Sequence, residues 1–247
     1  MAAALRSESR DFSLLPKDRT FGELLPAFFL PYFAYVAIPG FLSELIGPDL
    51  AQLLRFAVVG GLLLRFRKAY AFGPRLTAPQ ALLALAAAAF GVVLWTAALR
   101  LCLAMPFFAD KLAKASTVEY SLLYAALRTA NSVLLVPVFE ELLFRVWMQE
   151  ALHPAPAGPE KSRLLDQRPQ SLTAPPLTFR AVGIAGFLFA FGHDPAALPA
   201  AVLYYLLTTA VYAWTRSIRV CILVHAVVNL ALAAAVMLRP DFKYLWF

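Results

Sequence analysis

The chain has 247 residues, of which 61% are hydrophobic and only 15% charged, and its mean hydropathy is +0.69. A soluble domain runs near half apolar and a quarter charged, so this composition excludes an ordinary soluble fold and points to a bilayer. The formal charge of +7 does not imply nucleic acid, because most of the basic residues lie between the apolar stretches, where they orient a membrane protein.

At about 20 residues per spanning helix the apolar stretches supply about seven spans, an all-α polytopic transmembrane helix bundle. Residues 1–23 read as a polar cytosolic tail. Leu24 to Ile46 is the first span: it is too long for a signal-peptide core and no small-residue cleavage site follows it. Gly47-Pro48-Asp49 is a tight turn into a short second span, Leu50 to Leu64, which carries Arg55 and is expected to be tilted or half-buried. A basic loop through Arg75 leads to span three, Pro79 to Leu101, and Met105 to Ser116 reads as an interfacial amphipathic stretch. Span four, Glu119 to Met148, holds Arg128, Glu140, Glu141 and Arg145. The Pro-rich loop His153 to Thr178 is the long linker of the chain, with His153 expected in solvent. Spans five, six and seven are Phe179 to His193, Ala196 to Trp214 and Ile218 to Leu238. The aromatic tail Phe242 to Phe247 suits a headgroup-level anchor.

Alternating the spans from a cytoplasmic N-terminus collects Arg6, Arg10, Lys17, Arg19, Arg65, Arg67, Lys68, Arg75, Lys161, Arg163, Arg168, Arg180, Arg216 and Arg219 on the inner side. Arg100, Lys111, Lys114, Arg239 and Lys243 fall outside. The bias predicts the N-terminus in the cytoplasm.

An ionisable group inside the membrane costs several kcal/mol, which makes it a functional candidate. Glu141 and Arg145 stand i, i+4 with the acid first, the favoured order for an ion pair on one helix face. Glu140 points about 100° away, so Arg145 cannot neutralise both acids and one carboxylate is left for protonation or chemistry. Pro137 removes a helical bond to the Val133 carbonyl and is expected to kink the helix entering the glutamates. The plainer alternative is that the acids mark the cytoplasmic end of the span. His193 closes the run Phe189-Ala-Phe-Gly-His193, and Asp194-Pro195 reads as an N-cap and first helical residue of the next span. His193 is either a ligand-facing group or a histidine satisfied by a carbonyl. His225 and Asn229 share a face of the last span, as a site pair or as a helix-packing pair. Cys221, one turn earlier, is a core thiol or a nucleophile beside His225, and Cys102 is a core thiol. Cys102 and Cys221 offer no disulfide framework and no zinc knuckle.

Glu140-Glu141-x-x-x-Arg145, Phe189-x-x-x-His193 and His225-x-x-x-Asn229, in that order on successive hydrophobic helices, resemble the CAAX protease and bacteriocin-processing family. These are the type II CAAX prenyl endopeptidases, or glutamic intramembrane proteases. The resemblance covers about Glu119 to Leu238, and the chain's general look is similar to bacterial members associated with exosortase-type sorting. It implies a catalytic helical core over 119–238, preceded by membrane helices and an interfacial segment over 24–118 and followed by a tail over 239–247. It implies Glu140 as the catalytic carboxylate, His193 as its partner in holding water, His225 and Asn229 as oxyanion stabilisers, and Glu141 and Arg145 as bracing groups.

Such a site needs no cofactor. His-Glu-x-x-His is absent, and a zinc ion would have to gather Glu140, Glu141 and two histidines from three helices. The expected substrate is a membrane-associated peptide or a protein C-terminus, in a bacterial inner membrane, approached from the cytoplasm or laterally through lipid because Glu140 is read near the inner end of its span. A transporter or proton-coupled permease, and a non-catalytic scaffold, are the competing classes.

Overall fold

The computed structural model describes residues 11–108, 121–153, 163–172, 175–239 and 245. Among them are seven long helices and no strand. They are α1 (Phe21–Ile46), α2 (Pro48–Arg65), α3 (Ala78–Leu103), α4 (Leu122–Leu152), α5 (Phe179–Phe191), α6 (Leu198–Thr215) and α7 (Ile218–Leu238). Five are long and apolar enough to cross a membrane: α1, α3, α4, α6 with its preceding turn, and α7. α2 carries Asp49, Arg55 and Arg65 within 18 residues, and α5 has 13 residues, about 20 Å of helix. The interfacial stretch expected over 105–116 and the aromatic tail over 242–247 lie largely outside the described residues.

Local signals account for the helix ends. Thr20 with Glu23, and Thr77 with Gln80, form capping boxes at the starts of α1 and α3. Gly47, at φ +82°, ends α1 and opens α2, with Pro48 at the first helical position, so the α1–α2 hairpin turns on one residue that only glycine fits easily.

α1 packs on α2, α3 on α6 and α7, and α5 on α6, while α4 runs between α1, α2, α5 and α7. Small residues allow the close approaches. A Cβ at Gly91 of α3 would stand 3.1 Å from Val228, and one at Gly186 of α5 would enter the Tyr205 ring at 2.7 Å. α4 is buried on nearly every side from Leu135 to Ala151, the mark of a central helix.

The polar N-terminal segment is not a free tail. Residues 11–20 fold onto one end of the bundle: Phe12 N–H bonds the Leu172 carbonyl (2.9 Å), Lys17 reaches Ser171 (2.6 Å) and Ser13 donates to Glu150 (2.7 Å). Arg216 lies over the Phe12 ring at 5.2 Å, which places the α6–α7 turn at the same end. The opposite end holds the Gly47 turn, the start of α4, where Ser121 bonds Asp49 (2.6 Å), and the last turns of α7.

One expectation is corrected here. Glu140 does not mark the end of its helix, since α4 continues twelve residues further to Leu152. Gln149 and Glu150 look like terminal polar residues, yet both are buried. Gln149 donates to Tyr205 Oη (2.8 Å), and Glu150 accepts from Ser13 and from the Leu14 N–H (2.9 Å). The acid pair is therefore near the middle of the bundle.

Candidate active site

The site begins with a defect in α4. Residues Asn131–Leu135 are π-helical, with the Val136 N–H on the Asn131 carbonyl. In the α register the Ser132 carbonyl would accept from Val136; in the π register it would accept from residue 137, which is proline and has no N–H. Asn229 of α7 fills the gap, donating its side-chain amide to that carbonyl at 2.7 Å. A second π segment, Glu141–Met148, carries the ion pair itself. π-bulges of this kind concentrate at functional sites.

Arg145 is 1% exposed and fully engaged. It bonds Glu141 and Thr208, donates to Thr209 Oγ1 (2.8 Å) and lies over the Tyr205 ring at 4.6 Å. Glu141 is thus closed on one side by Arg145. On the other, His225 Nδ1 stands 3.3 Å from its Oε1. The second nitrogen of the same ring, Nε2, lies 3.8 Å from Oε2 of Glu140. One imidazole therefore sits between two adjacent buried glutamates. Arg145 takes only Glu141, as the helix geometry requires, and Glu140 Oε2 is buried with no hydrogen-bond partner among the described residues.

His193 follows α5 immediately. Its Nδ1 lies 2.9 Å from the Phe189 carbonyl. A carbonyl only accepts, so Nδ1 carries the proton and Nε2 of the neutral ring is an acceptor. The ring is held between Trp95 and Phe189, at centroid distances of 5.6 and 5.0 Å. The carbonyl bond expected of a structural histidine is present, and it leaves the other nitrogen available. Asp194 accepts from Ala196 N–H (2.9 Å), the N-cap its sequence predicts.

Glu140, His193, His225 and Asn229 line one cavity of about 270 Å³. Glu141 and Arg145 stand behind its wall. Trp95, Tyr204 and Arg55 also line it, and each carries a buried polar atom without a hydrogen-bond partner among the described residues, as Glu140 does. Such a cavity is polar enough to hold water. The lining continues to Arg128, Leu232 and Ala233, away from the end that carries residues 11–20. The lining thus extends towards the end of the bundle opposite residues 11–20, and α4 runs on past the glutamates in the other direction.

Trp95, Tyr204 and Tyr35 were not singled out in the sequence. Aromatic residues on apolar helices read as core, and only tertiary contact turns them towards a site. Cys221 is not a cavity residue: its thiol is fully buried 3.6 Å from the Thr208 carbonyl, a core position like that of Cys102. His153 is half-buried and outside the cavity rather than in solvent, with Nδ1 buried. Among the described residues no three His, Cys, Asp or Glu side chains group closely enough to hold a metal ion.

No curated protein and no solved structure matches the chain. A family model described as type II CAAX prenyl endopeptidase Rce1-like matches residues 122–231, which contain all seven residues of the three motifs. From the first turn of α4 into α7 the chain is therefore similar to the Rce1-like, type II CAAX prenyl endopeptidase family.

Proposed function

We propose that the protein is an intramembrane endopeptidase in which Glu140 activates water to hydrolyse a peptide bond of a membrane-associated peptide or protein. The observation that supports this reading best is the inequality of two neighbouring glutamates. Glu141 is closed by Arg145 and His225, whereas Glu140 turns a buried oxygen that makes no hydrogen bond among the described residues to a cavity shared with His193 and Asn229.

Charge balance gives the site one transferable proton. Two carboxylates and one guanidinium leave a net negative charge, and an uncompensated buried charge costs several kcal/mol. A proton held between Glu140 and His225 Nε2, which are 3.8 Å apart, removes it. With that proton on His225, the ring donates at both nitrogens: Nδ1 to Glu141, Nε2 towards the cavity. Glu140 is then ionised and able to accept a proton from water, while His193 Nε2 accepts a hydrogen bond from the water's other O–H and orients it.

The water oxygen attacks the carbonyl carbon, and its proton passes to Glu140. The carbonyl π electrons move onto oxygen, where His225 Nε2–H and the second N–H of Asn229 meet the charge. The C–N bond breaks as Glu140 returns its proton to the leaving amine. Nδ1 and Glu141 fix the ring, so His225 supplies an oxyanion donor only in its doubly protonated form.

We place the protein in a bacterial cytoplasmic membrane with its N-terminus inside, on the charge bias of the loops. The cavity then faces away from the cytoplasm. Purified wild type and Glu140→Ala, with chelator present, should be offered a library of membrane-tethered reporters. Cleavage by wild type alone supports the glutamate mechanism. Cleavage that survives Glu140→Ala, or that the chelator abolishes, overturns it.

A further inference from the structure

Two tyrosines stand side by side on α6, and their hydroxyls are unequal. Tyr205 turns to the Arg145 side of the helix, where Gln149 donates to its Oη at 2.8 Å. Tyr204, about 100° round the helix, turns to the cavity that holds Glu140, His193, His225 and Asn229. It is 2% exposed, and its Oη has no hydrogen-bond partner among the described residues. Buried hydroxyls are ordinarily bonded, and one left without a partner destabilises the fold. The partner that remains for this one is a water or a reacting group in the cavity.

The ring is held by groups of the site itself. It meets the His225 imidazole edge-on, with centroids 5.4 Å apart, and the Trp95 indole at 6.0 Å. Trp95 in turn contacts His193 at 5.6 Å. Two aromatic rings, one from α6 and one from α3, thus connect the two histidines. A Cβ at Gly91 would stand 3.3 Å from the Tyr204 ring, so α3 packs directly on it. The helix turn beneath is fixed as well: Thr208 donates to the Tyr204 carbonyl (3.0 Å), and Arg145 bonds Thr208. The ring is therefore set in place before any substrate arrives, and its O–H is free to rotate.

We propose that the Tyr204 hydroxyl is a third donor to the oxyanion formed when Glu140 drives water onto the peptide carbonyl; that role rests on the endopeptidase reading. A carbonyl oxygen has two lone pairs, which the donors of His225 and Asn229 occupy. As water adds, the π electrons move onto that oxygen and form a third lone pair, which accepts from the Tyr204 O–H. No proton is transferred in this contact. When the C–N bond breaks, the electron pair returns to the carbonyl and the contact is released. The hydroxyl thus acts on the transition state and not on the bound substrate, the condition for raising kcat without tightening KM.

The test is Tyr204→Phe in the full-length protein, which keeps the ring contacts and removes only the hydroxyl. One membrane-tethered reporter, selected on wild type, is followed at steady state with Glu140→Ala as the control, and melting temperatures are measured alongside. The variant should lose about 10- to 100-fold in kcat with KM within about twofold. Its melting temperature should hold or rise, because an unbonded buried hydroxyl is gone. An unchanged kcat, a rise in KM alone, or a lower melting temperature each overturns the proposal, the last because it reveals a hydroxyl bonded in the resting protein. Cleavage that Glu140→Ala abolishes and Tyr204→Phe leaves intact removes the third donor and keeps the endopeptidase reading. Cleavage that Glu140→Ala leaves intact, or no cleavage of any reporter by wild type, removes both.

Discussion

Asn229 on α7 holds the backbone carbonyl of Ser132 on α4 at 2.7 Å, and it does so because Pro137, five residues beyond Ser132, has no N–H to offer. The residue proposed to meet the oxyanion also repairs the helix that presents Glu140. Structural and chemical roles can be separated by a double-mutant cycle. Asn229→Ala should cost about 1–3 kcal/mol by leaving a buried carbonyl unpaired. In a Pro137→Ala background, where residue 137 regains an N–H, that loss should be at least halved. Cleavage, by contrast, should stay about 10²–10³-fold down in both backgrounds, because no backbone repair replaces a donor in the cavity. Melting temperatures and turnover of one reporter read the two effects; a stability loss unchanged by Pro137→Ala removes the proline from the explanation.

Glu141 and Arg145 are 2% and 1% exposed, and each is the other's charge partner. Breaking the pair from one side strands a buried charge. Arg145→Leu or Glu141→Leu alone should destabilise by about 3–5 kcal/mol. The double replacement should be milder than either single change, although His225 then loses its Nδ1 acceptor and activity stays lost. Thermal unfolding in one detergent checks the order, and a double variant worse than both singles contradicts it.

How much of this was legible beforehand depends on how local each relationship is. The Glu141–Arg145 pair follows from helical spacing within five residues, and the Asp194 cap from two adjacent ones, so both could be read directly. The seven helices follow from runs of apolar residues, and Ile218–Leu238 agrees at both ends. The depth of Glu140 could not be read. Gln149 and Glu150 carry the chemistry of a helix end, and only Tyr205 and the folded-back residues Ser13 and Leu14 make them interior. The π segments were invisible for a different reason: a shift of hydrogen-bond register has no composition. Arg55 drew notice as a charge in a short span, but its place in the lining of the cavity depends on how α2 packs on α4.

Gly186 of α5 lies against Tyr205, and Tyr205 lies under Arg145. A methyl group at 186 meets the ring at 2.7 Å, and the ring cannot yield without disturbing the guanidinium. Gly186→Ala should destabilise by about 1–3 kcal/mol and reduce cleavage although residue 186 does not line the cavity. A fully active, fully stable variant shows that α5 shifts freely instead.

Asp11 ties residues 11–20 to the bundle, pairing with Lys17 and accepting the Leu172 and Ser13 N–H groups, both at 3.0 Å. Burial opposes its ionisation, but the Lys17 bond and the two backbone donors outweigh that and lower its pKa to about 2. The folded value is below the unfolded one, so the ionised carboxylate stabilises this contact above about pH 4 and the contribution is lost as pH falls from 4 towards 2. Hydrogen exchange at the Leu172 and Ser13 amides should accelerate over that interval relative to the intrinsic rate. Asp11→Asn should show the faster exchange already at pH 5. Protection that is flat across the interval disconnects Asp11 from the arm.

The proposed orientation of the cavity rests on two observations of different kind. Residues 11–20 and the α6–α7 turn occupy one end of the bundle, and the cavity runs towards the other. Lys17, Arg19, Arg65, Arg67, Lys68, Arg163, Arg168 and Arg216 collect at the first end, which the positive-inside bias assigns to the cytoplasm. A cysteine at Ala71, exposed in the loop after α2, should then react with an impermeant maleimide only in inverted vesicles. One at Glu44, exposed near the end of α1, should react only in right-side-out vesicles. The native Cys102 and Cys221 are buried and give little background. The opposite labelling pattern turns the molecule over, puts the cavity on the cytoplasmic side and brings cytosolic chain ends within reach of Glu140.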